Sequence, residues 1–202
     1  MSLPFPFCYL TLIGFSRLVE IFIDWIYTQK IPTASLNWVE AENDTDSTIY
    51  TDDLGAQVLS AKALNFAKRF LAKEYQQIVR NSHVNFNIDA APGYELVIYA
   101  FANFPSTDSF LTFLVDTHCK NWAEALDFNE DGEEGTETKL RSQLPNDFLI
   151  RVMTRYNKLR GDPSLEVLNR CSYHEHATKK EKKECEKESR VEDSSTDESD
   201  DE

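Results

Sequence analysis

No apolar run in this chain reaches the roughly 18 residues that would suggest a membrane span. Glycine and proline are sparse, six and seven in 202 residues, which excludes collagen-like and elastic chains. Positive charge is also short. The 21 Lys and Arg face 35 acids, so the net charge is 21 − 35 = −14 and the pI is near 4.7. Phosphate binding needs clustered Lys and Arg, so a general nucleic-acid binder is excluded, and no membrane partner is expected. The four cysteines are scattered at Cys8, Cys119, Cys171 and Cys185. The last sits in a charged stretch with no fold to hold a disulfide partner, which points to a reducing compartment, cytoplasm or nucleus.

What is present is enough for one domain. An aromatic share of 12% is too high for a wholly disordered chain. The segment from Leu3 to Phe15 is apolar, yet it lacks a basic start and a small-x-small cleavage site, so it is not read as a secretion signal. The sequon Asn43-Asp44-Thr45 then carries no consequence.

The periodicity is helical. Val19, Phe22, Ile23 and Ile26 fall at i, i+3, i+4 and i+7, with Pro32 closing the segment. Asp52 or Asp53 can cap a second helix carrying Leu59, Ala63, Phe66 and Phe70. Tyr75, Ile78, Val79 and Phe86 mark a third, and Leu96 to Phe104 a fourth that stops at Pro105. Ser109 caps a fifth with Phe110, Leu114, Val115 and Trp122. Asn146 or Asp147 caps a sixth with Phe148, Val152, Tyr156 and Leu159, ended by Gly161-Asp162-Pro163. From residue 172 the chain becomes a charged run with almost no bulky aliphatic residue. It buries too little to offset chain entropy and is expected to be disordered.

Asp127-Phe128-Asn129-Glu130-Asp131-Gly132 matches the opening of an EF-hand loop. The twelfth position, which should be a bidentate Glu, is Thr138, with Glu137 one residue out of register. A solvated acidic loop is therefore expected, with a calcium-responsive protein using Asp127, Asn129 and Asp131 as the alternative. Cys171, His174, His176 and Cys185 can all ligate zinc. Their spacing, Cys-x2-His-x-His, is not a usual knuckle, and the residues between are charged with no apolar folding partner. No metal site and no cofactor are expected.

Nucleophilic catalysis finds no motif: no G-x-S-x-G, no phosphate-binding glycine loop and no H-E-x-x-H. His118 adjoins Cys119 and His83 adjoins Ser82, but neighbouring helical residues do not face each other. The expectation is not an enzyme. In the tail, Ser194, Ser195 and Ser199 each have an acid three residues on (Asp197, Glu198, Glu202). That is the pattern of acid-directed kinases, and the three serines are candidate phospho-acceptors.

Four blocks in order resemble one family. The segment Val19–Ile31, reading VEIFIDWIYTQKI, looks like the helix and turn of BTB/POZ domains. Leu64–Leu71 with Tyr75, Ile78 and Val79 resembles the helix pair that follows. Tyr99–Pro105, Leu114-Val115-Asp116 and Leu144–Leu149 are similar to the C-terminal extension of filamentous-fungal BTB proteins. The family's first half, a strand pair and a helix, has no counterpart here, and Gln29 stands where the family has a turn glycine. The resemblance implies a mainly α fold: the C-terminal helical part of a BTB/POZ-like domain plus a helical extension, followed by a disordered acidic tail. The implied units are an apolar segment 1–15, a partial BTB-like helical region 16–90, a helical extension 91–171 and the tail 172–202. The implied function is a non-enzymatic protein–protein interaction module, an adaptor or scaffold with a protein partner. Self-association stays open, because family dimers are built largely from the half with no counterpart here. An incomplete gene product without independent function is the remaining alternative.

Overall fold

The computed structural model describes residues 6–33, 37–38, 52–124 and 136–194, with side chains from Ser16 onward except at 52, 136, 163 and 190–194. Among these residues the fold is all helix. The elements are α1 (Pro6–Thr28), α2 (Asp52–Arg69), α3 (Lys73–Asn87), α4 (Tyr94–Asn103), α5 (Ser109–Asn121), α6 (Thr136–Arg141), α7 (Asn146–Gly161) and α8 (Lys179–Ser194). Two 3-10 turns, Pro163–Glu166 and Arg170–Ser172, lie between α7 and α8. None of these helices is long and apolar enough to cross a membrane.

The helix ends follow local chemistry. α2 starts at Asp52, α4 stops ahead of Pro105 and α7 runs to Gly161, as the sequence predicts. The cap of α5 is Asp108, one residue before the predicted Ser109: its carboxylate accepts from the Phe110 amide at 2.9 Å. Pro145, not Asn146 or Asp147, holds the cap position of α7, and it has no side-chain bond to give. α2 closes with Ala72 N–H donating to the Ala67 carbonyl at 3.0 Å and Leu71 N–H to Lys68 at 3.3 Å. That is a Schellman closure, and Leu71 at φ 56° occupies its left-handed position. α1 closes with Gln29, also at φ 56°, where the resemblance expects glycine. The Gln29 side-chain amide donates to the Trp25 carbonyl at 3.1 Å, a cap that glycine cannot supply.

α2 and α3 form the central pair, with α1 against α2 and α4 and α5 closing the other side. One core joins Leu18, Ile21 and Trp25 of α1 to Ala61, Leu64 and Ala67 of α2 and Tyr75 and Val79 of α3, and continues to Phe110, Phe113 and Leu114 of α5. It runs across residue 90 without a break. Aromatic edges fill it, Phe22 standing 5.0 Å from Tyr75 and 5.2 Å from Phe66 between ring centroids. A smaller cluster, Val97, Val115, Phe148 and Val152, seats α7 on α4 and α5. Three aromatics that fit the helical spacing are outside the core: Phe70, Phe86 and Tyr156 are exposed. α2 buries alanines instead, which lets α1 and α3 approach closely.

Beyond residue 172 the expected disordered start of the tail is corrected as far as Ser194. The 3-10 turn, an extended stretch and α8 follow in order. Thr178 Oγ1 accepts from the Glu181 amide at 3.1 Å, and Glu181 Oε2 accepts from the Ala177 amide at 2.9 Å. This is a variant of the reciprocal capping box. Lys180–Glu184 and Lys182–Glu186 add i,i+4 pairs on the outer face, worth about 0.3–0.5 kcal/mol each. The larger reason for order lies in α3, described next.

Candidate metal centre

α3 presents a polar edge to residues 173–181. Arg80 is fully buried and donates from Nε to the Tyr173 carbonyl at 3.0 Å and from Nη2 to Ser109 Oγ at 2.9 Å. Its Nη1 meets Asp108 Oδ1 at 3.3 Å, and Lys68 pairs with the other oxygen of the same carboxylate. The next residue, Asn81, donates from Nδ2 to the Glu175 carbonyl at 3.0 Å, and its Oδ1 accepts from the Glu175 amide at 2.8 Å. Gln76 donates to the Glu175 carboxylate, and Gln77 to that of Glu181. The segment that is poorest in apolar residues is thus seated by backbone and side-chain hydrogen bonds.

On this seat three of the four residues singled out as possible zinc ligands come together, and the fourth, His174, borders them. A ligand atom each from Cys171, His176 and Cys185 lies within 4.8 Å of the other two. Cys171 Sγ is 3.4 Å from His176 Nε2. His174 joins through Cys185, its Nδ1 standing 3.3 Å from Cys185 Sγ. Its other nitrogen, Nε2, is 2.9 Å from Asn85 Oδ1 on α3. An amide oxygen only accepts, so His174 Nε2 carries the proton and Nδ1 presents a lone pair to the sulfur. Asn169 holds the turn that carries Cys171, its side chain accepting from the Cys171 amide at 2.8 Å. Cys171 is buried, while the other three are partly covered. Burial and then the adjacent Cys171 push the Cys185 thiol up to about 12. Burial first, then the neighbouring cations, depresses His174. A hollow of about 260 Å³ lined by Cys171, Ser172, Lys182 and Glu186 opens beside the cluster.

The remaining sequence candidates are placed as follows. Asp127, Asn129 and Asp131 lie outside the described residues, as do Ser195 and Ser199, and Ser194 is the last residue of α8. Glu137, the residue out of register for a calcium loop, accepts from the Tyr94 amide at 2.5 Å. Burial raises its carboxyl pKa. His118 is buried, stacked on Trp122 and edge-on to Phe148, and burial lowers it to about 4. Cys119 is raised to about 11, chiefly by burial. His83 does not meet Ser82 but has Ser60 at 2.7 Å from its Nδ1. Both are buried, the Ser60 hydroxyl also reaches the Gln57 carbonyl at 3.0 Å, and His83 Nε2 has no partner. A nucleophile–base pair needs a third group to orient the base and room for substrate. The hollow beside this pair is about 10 Å³, no more than one water would fill. Burial, then the charge of Arg80, holds His83 down at about 3. It is a core histidine.

No family model, curated protein or solved structure matches the chain. Two of the participants are missed by reading the sequence. Asn85 has no local signal, since it acts only once α3 meets residue 174. The Thr178-x-x-Glu181 spacing does carry a signal, because a hydroxyl residue followed three places on by Glu marks a helix start.

Proposed function

We propose that this chain is a non-enzymatic protein–protein interaction module, an adaptor or scaffold whose docking surface is the outer face of α7. The observation that carries this reading is that α7 is apolar on two sides. Phe148 and Val152 face inward, Phe148 edge-on to Phe101 at 5.5 Å. On the outside, Leu149, Ile150, Met153 and Tyr156 form a continuous stripe at helical spacing, with Ile150 61% and Met153 71% exposed. A helix of a monomeric domain keeps one apolar face, and a second, contiguous one marks an interaction surface.

Charge adds a constraint on the partner. Of the basic residues on α7, Arg151 pairs with Asp147 and Arg155 with Asp116 of α5, so Lys158 and Arg160 supply its outward positive charge on a chain of net −14. A helix or strand with apolar residues flanked by acids is complementary to it. The BTB/POZ resemblance read in the sequence implies the same kind of role.

The test is a double variant, Ile150→Asp with Met153→Asp, in the full chain. Both side chains are exposed, so the far-UV melt should stay within about 0.5 kcal/mol of the parent. Cross-linking and mass spectrometry from cells should find partners joined through α7 in the parent and lost in the variant. An identical partner set for both proteins would reject the α7 surface.

A further inference from the structure

We propose that Cys171, His174, His176 and Cys185 bind one Zn²⁺ ion in a tetrahedral site that fastens the C-terminal segment to α3. This inference is independent of the α7 surface. It rests on four observations.

The donor set is the first. Two sulfurs and two imidazoles are what a closed structural zinc site uses, and mixed soft and borderline donors select zinc over calcium or magnesium. Spacing is the second. Zn–S bonds of about 2.3 Å and Zn–N bonds of about 2.0–2.1 Å set S and N about 3.5 Å apart along a tetrahedral edge. The two observed S···N separations are 3.3 Å and 3.4 Å, and a third ligand pairing, Cys171 with Cys185, lies within 4.8 Å.

Third is the outer shell. Metal-bound histidine characteristically donates its other ring N–H to a carbonyl or carboxylate, which fixes the tautomer. Asn85 Oδ1 does this for His174, leaving Nδ1 free to coordinate. Fourth is the origin of the ligands. They come from a 3-10 turn, an extended stretch and the second turn of α8, which a single ion would hold to one another and, through Asn85, to α3. The chain between Cys171 and Cys185 holds two histidines, seven Lys or Glu residues and no aliphatic residue larger than alanine. A structural zinc ion supplies folding energy in such a segment in place of a core.

The charge balance closes. Each thiol loses one proton to solvent on binding, both histidines stay neutral, and the two thiolates cancel the ion's two positive charges. The open hollow beside Cys171 provides an entry path.

The test uses the full chain, purified under reducing conditions, stripped with a chelator and titrated with Co²⁺ and then Zn²⁺. The expected result is one Co²⁺ per chain, with the intense visible bands of tetrahedral cobalt and a thiolate-to-metal charge-transfer band in the near ultraviolet. Zn²⁺ displaces both signals. Cys185→Ser removes the charge-transfer intensity in part and His174→Ala weakens binding, whereas Cys119→Ser leaves the spectrum unchanged. Asn85→Ala weakens cobalt affinity by about 10- to 100-fold, and because Asn85 is exposed this variant keeps the fold even if a ligand variant loses it. A pale octahedral spectrum, binding unaffected by Cys185→Ser and His174→Ala, or a Cys171–Cys185 disulfide in the freshly purified chain would overturn the assignment.

Discussion

The Tyr173 hydroxyl donates to Asp116 Oδ2 at 2.6 Å, joining residues 57 positions apart. Arg155 Nε of α7 lies 2.8 Å from the other oxygen of the same carboxylate. Asp116 on α5 thus joins the strapped C-terminal segment to the helix proposed to bind a partner. A hydrogen bond to a charged acceptor contributes about 1.5–3 kcal/mol. Tyr173→Phe is expected to lower the free energy of unfolding by that amount in urea denaturation. A change below 0.5 kcal/mol, the usual scatter of neutral substitutions, would show that the bond contributes nothing.

Arg80 is the second anchor. With its guanidinium fully buried, truncation leaves the Tyr173 carbonyl and the Asp108 carboxylate short of a donor. Removing one partner of a buried pair costs about 3–5 kcal/mol. Arg80→Ala should fall in that range, and Arg80→Lys should recover only part of it, because one ammonium cannot reach the three acceptors that the planar fork spans. Full recovery by Lys would mean that charge alone matters at this position.

Acid should destabilise the fold through its core histidines. His83 sits near 3 and His118 near 4, both below the ordinary value of about 6.5 for an unfolded chain. Between those limits the unfolded chain binds more protons. Their contribution is therefore fully present above about pH 6.5 and is lost as pH falls, by up to about 1.4 kcal/mol per unit for each residue. Denaturant midpoints measured from pH 7.5 to 5 should fall, and His83→Gln should flatten the slope. A midpoint constant over that span would contradict the burial of both rings.

Leu71 invites a stabilising change. It is exposed and holds φ 56° at the end of α2, a conformation costing a non-glycine residue about 1–2 kcal/mol. Leu71→Gly gives back part of this as chain entropy, so a gain of about 0.5–1 kcal/mol is expected. Calorimetry would register it as a raised Tm. A lowered Tm would mean that the Leu71 side chain packs on something the closure needs.

Most helix positions were legible because apolar spacing and a few stop signals, Asp52, Pro105 and Gly161, act locally. The errors have a common form. Phe70 and Phe86 fit the helical period but fall on faces left exposed among the described residues. Arg80 and His83 are buried where a period of apolar residues has no place for them. The zinc ligands were recognisable by type, yet the segment was set aside for lacking an apolar partner between residues 172 and 202. Its partner is the polar edge of α3, Gln76 to Asn85, which lies about 90 residues earlier. Long-range pairing through hydrogen bonds leaves no periodic trace in either segment.

The chain order of that pairing has a kinetic consequence. Gln76 and Glu175 are 99 residues apart, whereas the α2–α3 hairpin closes over a three-residue turn. Loop closure favours the short connection, so the bundle assembles first and the segment from Tyr173 onward docks onto a surface already formed. The last part to arrive is then the first to leave. In hydrogen exchange, amides of residues 174–186 should open together, at lower cost than those of α2 and α3. Each opening would bare Arg80 and Asn81 to solvent while the aromatic core stays shut, giving the molecule a reversible latch that operates without unfolding.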